Sequence, residues 1–204
     1  MTSSDETLLP EGAKSGVEAR VGRVLDGESA TAAGLRIGFA CAEFNGGITL
    51  RLLQGALGAL EDRGGDPADV VVAWVPGSFE LPVVAQRLAQ SDSVDAVVCL
   101  GAVIRGDTGH YEFVAGECAS GLQRVQLDTG TPVVFGVLTT ETVDQALVRS
   151  ADDASNKGAE AVLTAVETVT VLRSVATLSG AGRVGFSVPF ERMGWPPSCV
   201  LASQ

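Results

Sequence analysis

The stretch AVVCLGAVIRGDTGHYEFV, residues 96–114, changes character at its centre. Its first nine residues, Ala96 to Ile104, form an apolar run rich in β-branched residues. That length and composition predict a strand buried on both faces. A glycine-punctuated turn follows, and the spacing from Tyr111 onward, YEFVAGECASGLQRVQLDTG, is helical. A buried strand that turns directly into a long helix is half of a βαβ unit.

The same alternation extends in both directions. Upstream lie the runs LRIGFACA (Leu35 to Ala42) and VVVAWV (Val70 to Val75); downstream lies PVVFGVL (Pro132 to Leu138). All four runs are expected to be buried on both faces. Between them, ITLRLLQGALGALEDRG places Leu53, Ala56, Leu57 and Leu60 on one helical face, and LPVVAQRLAQ supplies another crossover helix. Two further helical patterns, ETVDQALVRSA and NKGAEAVLTAVETVTVLRSV, follow the last strand. Right-handed crossovers then place helices on both faces of a parallel sheet. The organisation expected is an α/β domain over residues 34–175, preceded by a polar extension, 1–33, in which Gly16–Leu25 is a candidate added strand. An irregular tail, 176–204, is rich in glycine and proline and carries Phe186, Phe190 and Trp195.

Composition narrows the function. A formal charge of −11 on 204 residues argues against a nucleic-acid partner, because phosphate backbones are held by clustered Lys and Arg. The polar, acidic start MTSSDETLLPEG does not resemble a secretory signal, and no apolar run approaches the ~20 residues of a membrane span. A cytoplasmic protein without a membrane partner is expected. Cys41, Cys99, Cys118 and Cys199 are widely spaced, and His110 is the only histidine, so no metal set suggests itself and reduced, buried thiols are expected. GxGxxG, GxxxxGK[ST] and GxSxG are absent, and His110-Tyr111-Glu112 lacks the PCxxC that would complete a deaminase zinc site.

In open α/β sheets ligands collect at the carboxyl ends of strands. The residues there are EFNGG (43–47), PGSFE (76–80), VIRGDTGH (103–110), then Thr139 and Thr140, with Arg149 further along. Each has a bland reading beside a functional one. Asp107 or Thr108 can cap the following helix, or the turn from Gly106 can receive a phosphate on backbone N–H groups. Arg149 is a solvated helical arginine or a fork for that phosphate. His110 is a surface or capping residue or a proton carrier. Phe44, Phe79 and Phe135 are read by default as core, with stacking on a planar ring as the alternative. Glu80 is a first-turn helix carboxylate or an acceptor for ring N–H donors.

Taken in order, EFN, VPGSFELP, GAVIRGDTGHYEFV, PVVFGVLTT, QALVRS and NKGAEA resemble the lumazine synthase family over about residues 34–175. The resemblance implies a three-layer, doubly wound, flavodoxin-like fold with a four-stranded parallel sheet. It implies condensation of 5-amino-6-(D-ribitylamino)uracil with 3,4-dihydroxy-2-butanone 4-phosphate, giving 6,7-dimethyl-8-ribityllumazine, phosphate and water, with no cofactor. By position, Phe44 would stack on the pyrimidine, while Ser78, Phe79 and Glu80 with Ala102, Val103 and Ile104 would meet its ring edge and ribityl chain. Asp107 and Thr108 would meet the phosphate, and His110 corresponds to the proton donor. Phe135 and Arg149 would come from the adjacent subunit, Arg149 pairing with the phosphate. Homopentamers are implied, in some members twelve of them forming an icosahedral shell; no long insertion separates Arg149 from Lys157. Asp107 departs from the pattern by setting a carboxylate beside the expected phosphate, and the tail after Ser174 has no counterpart. The alternatives are an archaeal-type riboflavin synthase and a non-catalytic flavin- or lumazine-binding shell protein.

Overall fold

The computed structural model describes residues 14–178. Helix α1 (Ser15–Glu18) precedes the alternating unit: β1 (Ile37–Ala42), α2 (Gly46–Asp62), β2 (Val70–Val75), α3 (Leu81–Ala89), β3 (Ala96–Ile104), α4 (His110–Thr129), β4 (Val133–Thr140), α5 (Val143–Arg149) and α6 (Lys157–Leu178). The four strands are parallel in the order β2-β1-β3-β4. The chain therefore reverses its direction of winding between β1 and β3, which opens a crevice at the carboxyl ends of those two strands.

Residue alternation along β1 and β3 builds two cores. Ile37, Phe39, Cys41, Val98 and Leu100 pack with Leu52, Ala56 and Leu60 of α2 and Val162, Ala165 and Val166 of α6. On the other face Ala40, Ala42, Val97 and Cys99 meet Leu81 and Ala85 of α3 and Cys118 and Leu122 of α4. Helices cover both faces, as the doubly wound, flavodoxin-like arrangement requires. Cys41, Cys99 and Cys118 are buried and free, and burial pushes the Cys41 and Cys118 thiols up to about 12 and that of Cys99 well above its ordinary range. Cys199 lies outside the described residues.

Close approach fixes how α6 enters. Asn156 accepts from the Gly158 and Ala159 N–H groups at 2.8 and 3.2 Å and donates to the carbonyls of Arg51 and Ala151. A Cβ at Gly158 would stand 1.9 Å from the Leu52 carbonyl oxygen, so only glycine lets the helices meet there.

Several expectations need correction. β2 is not buried on both faces: Val71, Val72 and Trp74 are exposed, because β2 is an outer strand and no described strand lies beyond it. β4, the other outer strand, leaves Phe135 and Thr139 exposed for the same reason. Gly16–Leu25 forms no strand in this chain; its first three residues belong to the single-turn α1, a turn and a bend follow, Arg23–Leu25 are irregular, and Gly22 interrupts its alternation. α6 runs on to Leu178, so residues 176–178 are helical, while 179–204 lie outside the described residues. Finally, α6 is long and apolar enough to cross a membrane by length and composition alone. Its Ala161, Val162, Ala165, Val166 and Val169 are instead committed to the core against α2 and the sheet.

Candidate active site

The crevice predicted by the strand order holds a cleft of about 610 Å³, within the range of small-molecule sites. Three strand ends supply its walls. After β1, the Phe44 N–H donates to the Pro76 carbonyl at 3.0 Å, and Asn45 takes a left-handed conformation with φ of 60°. Asparagine tolerates that region better than most residues. Its amide does not cap α2; Nδ2 donates to the Ala102 carbonyl at 2.9 Å and ties the β1 turn to β3. After β2, a 3-10 turn over Ser78–Glu80 leads into α3, with Pro82 in its first turn. Ser78 is buried against β3, where a Cβ at Gly101 would stand only 2.8 Å from its Oγ. The glycine in the middle of β3 thus lets the 3-10 turn sit down on the strand.

Aromatic side chains line the mouth. Phe44, Phe79 and Phe113 are 73, 56 and 71% exposed, and all three border the cleft. The default reading of Phe44, Phe79 and Phe135 as core is therefore wrong for each: Phe135 is exposed as well. Large apolar side chains left in water around a cavity mark a binding surface more than a packing accident.

The turn after β3 forms the polar end. Gly106, Thr108 and His110 line the cleft, whereas Asp107 is exposed and does not border it. Neither Asp107 nor Thr108 caps α4: its N-cap is Gly109, with no side-chain cap bond. The nearest substitute is Thr108 Oγ1, 3.5 Å from the His110 backbone nitrogen, which is at the limit of a hydrogen bond. The first turn of a 20-residue helix therefore presents N–H groups without intrahelical partners, at the positive end of the helix dipole. Glu80, the residue before α3, makes no cap bond either, and its carboxylate is left on the cleft wall.

Phe135 and Arg149 are not in this cleft. They line a second pocket of about 400 Å³ on the β4 edge, with Lys157, Glu160 and Thr164. Arg149 is exposed; it donates to the Gln145 carbonyl of its own helix at 3.1 Å and joins none of the ion pairs among the described residues. Lys157 Nζ lies 2.5 Å from Glu160 Oε1 in the same pocket. One chain thus brings together Phe44, Ser78, Phe79, Glu80, Ala102, Val103, Ile104, Thr108 and His110, and keeps Phe135 and Arg149 apart from them. No group of three or more His, Cys, Asp or Glu among the described residues is placed to hold a metal ion.

The model of the 6,7-dimethyl-8-ribityllumazine synthases matches residues 34–173, well over half of the chain and the whole of the sheet. The chain belongs to that family. Two lumazine synthases, from two strains of Thermus thermophilus, are each 58% identical to it over 146 residues, which is 72% of this chain and 93% of theirs. The matched segment contains every residue of both pockets, so the lumazine synthase likeness extends over the candidate site as well as the scaffold.

Sequence reasoning did not single out Arg105, Tyr111, Phe113 or Lys157. Phe113 carried a usable signal, since it lies three residues after His110 and so on the same face of α4. Lys157 is close to Arg149 only through the fold of the α5–α6 connection, which no spacing rule reveals.

Proposed function

We propose that this chain is a lumazine synthase, a transferase that condenses 5-amino-6-(D-ribitylamino)uracil with 3,4-dihydroxy-2-butanone 4-phosphate. The observation that carries the assignment of roles is the cleft at the β1/β3 crevice, which gathers an aromatic mouth, a carboxylate, an uncapped helix start and the only imidazole. Phe44 stacks on the pyrimidine. Ser78, Phe79 and Glu80 with Ala102, Val103 and Ile104 hold the ring edge and ribityl chain, Glu80 accepting from ring N–H donors.

The phosphate binds at the start of α4, on backbone N–H groups of the Gly106–Thr108 turn and the Thr108 hydroxyl. Asp107 takes part through its backbone; its exposed carboxylate, away from the cleft lining, supports a side chain turned to water. The amine of the pyrimidine adds to the ketone carbonyl and water leaves as the imine forms; phosphate is eliminated, and the ribityl-bearing nitrogen closes the ring on the carbonyl so generated with loss of a second water. His110 carries protons in these steps, and holding both substrates in one cleft supplies the proximity.

Arg149 and Phe135 complete the site from an adjacent copy. Their position in a separate edge pocket supports this, because one chain cannot bring them to its own cleft. Exposed apolar side chains on β2 and on α5, including Val71, Trp74, Val143 and Val148, support burial between copies, and a pentameric ring is the assembly proposed. The family model and both relatives carry the synthase name, which disfavours the riboflavin synthase and non-catalytic shell alternatives. The test is incubation of the purified protein with the two substrates. Lumazine fluorescence and release of phosphate in equal amounts are expected; neither appearing would overturn the assignment.

A further inference from the structure

Arg105 immediately follows β3 and has no role in the scheme above. Its backbone N–H donates to the Thr140 carbonyl at 2.9 Å, continuing the β3–β4 pairing by one step. Its side chain makes three contacts. Nε lies 2.7 Å from Glu141 Oε2, on the connection between β4 and α5. A terminal nitrogen bonds Glu112 Oε1 in the first turn of α4, and the guanidinium lies over the Tyr111 ring, 4.1 Å from its centre. Tyr111 lines the cleft next to His110. Glu141 is followed by Thr142, whose side chain caps α5, the helix that ends in Arg149.

One planar group at the start of the Gly106–Gly109 turn thus joins the first turn of α4, which follows the turn, to the connection between β4 and α5. An exposed ion pair contributes little stability by itself. A fork that engages two carboxylates and stacks on a ring instead defines geometry. The charge distribution points the same way. The two glutamates hold the Arg105 cation above the usual guanidinium range, Glu112 more than Glu141, and the bond from Arg105 holds Glu112 below the usual carboxylate range. Released from Arg105, these two carboxylates would stand free beside the turn that receives the phosphate.

We propose that Arg105 is a positioning residue for the phosphate-bearing substrate: it fixes the Gly106–Thr108 turn and the first turn of α4, and holds Glu112 and Glu141 away from the phosphate. This rests on the phosphate being bound at that turn.

The test uses the full-length assembled protein and compares wild type with Arg105→Gln, Arg105→Lys and Glu141→Gln. KM for each substrate is measured, and binding of inorganic phosphate is followed by calorimetry. Arg105→Gln should raise KM for the phosphate-bearing substrate about tenfold, leave the pyrimidine KM within about twofold, and weaken phosphate binding in parallel. Arg105→Lys should recover little, because an ammonium cannot reproduce the fork or the stack. Glu141→Gln, at an exposed side chain expected to fold, should show a smaller shift of about threefold in the same direction.

Equal shifts in both KM values, full rescue by lysine, or a lowered melting temperature with unchanged kinetics would overturn the proposal. Should Arg105→Gln fail to assemble, unchanged phosphate affinity in Glu141→Gln would overturn it alone. The phosphate arm separates the two ideas: a wild type that binds phosphate without turnover contradicts the reaction, and the variants still decide the role of Arg105.

Discussion

The two ends of the sheet treat their charged residues differently. At the amino end, Arg36 and Asp95 precede β1 and β3. The Arg36 backbone N–H reaches Asp95 Oδ2 at 2.9 Å, its guanidinium bonds both carboxylate oxygens and the Asp92 carbonyl, and Arg173 of α6 adds a further bond at 3.1 Å. At the carboxyl end α4 starts without a side-chain cap and three phenylalanines stand in water, and in the pocket on the β4 edge Arg149 has only a carbonyl of its own helix. Saturated polar groups clamp strands, while unsaturated ones wait for a ligand. Arg105 is the exception at the carboxyl end, and its saturation is what makes it a support and not a ligand.

Substitutions at the two ends should therefore separate activity from stability. The largest effect is expected for Arg149→Ala, about 100-fold in kcat/KM and mostly through the phosphate-bearing substrate, since a charge-assisted bond is worth roughly 1.5–3 kcal/mol. Steady-state kinetics checks it, and wild-type turnover would remove the phosphate role. His110→Ala should lower kcat by about 10- to 100-fold, toward the low end for a lost proton carrier because positioning survives. A pH–rate profile identical to that of wild type would exclude His110 from proton transfer.

Asp95→Asn is expected to do the reverse, lowering stability by about 1–2 kcal/mol with kcat/KM within about twofold of wild type at neutral pH. Burial raises the Asp95 carboxyl, but the bonds from Arg36, with the charge of Arg173, outweigh it and hold the group below its ordinary value of 3.8. A folded-state value that is depressed stabilises above the unfolded value and ceases to do so as pH falls through the folded one. The stability gap between wild type and Asp95→Asn, measured by thermal melting, should be full above about pH 5 and close on further acidification. A gap independent of pH would assign the loss to packing instead of charge.

The fold and the cleft side of this contrast are legible in the sequence, for identifiable reasons, whereas the clamp at the amino end is not. Apolar runs separated by helical spacing gave the strand sequence, and the strand-end rule named Phe44, Glu80, Thr108 and His110 without coordinates. β2 reads as buried on both faces in sequence, because an apolar strand at an edge looks like a central one until strand order is known. Composition also favoured a buried Phe44, since aromatic residues are usually core; the exposed cleft reversed that. Asp107 looked like a conflict with phosphate because a sequence does not say which way a side chain turns. Arg36–Asp95 and Arg105–Glu141 join residues far apart along the chain, and no local pattern announces such pairs.

The separation of the two pockets also has a consequence for counting. Under the proposed sharing, every chain lends an Arg149 edge to one neighbour and receives one at its own cleft from another. An open row of copies always has an idle edge at one end and an unfinished cleft at the other. Closing the row into a ring joins those two leftovers, so the number of complete sites rises to equal the number of chains. Ring closure would then be a kinetic property of the enzyme as well as a matter of shape.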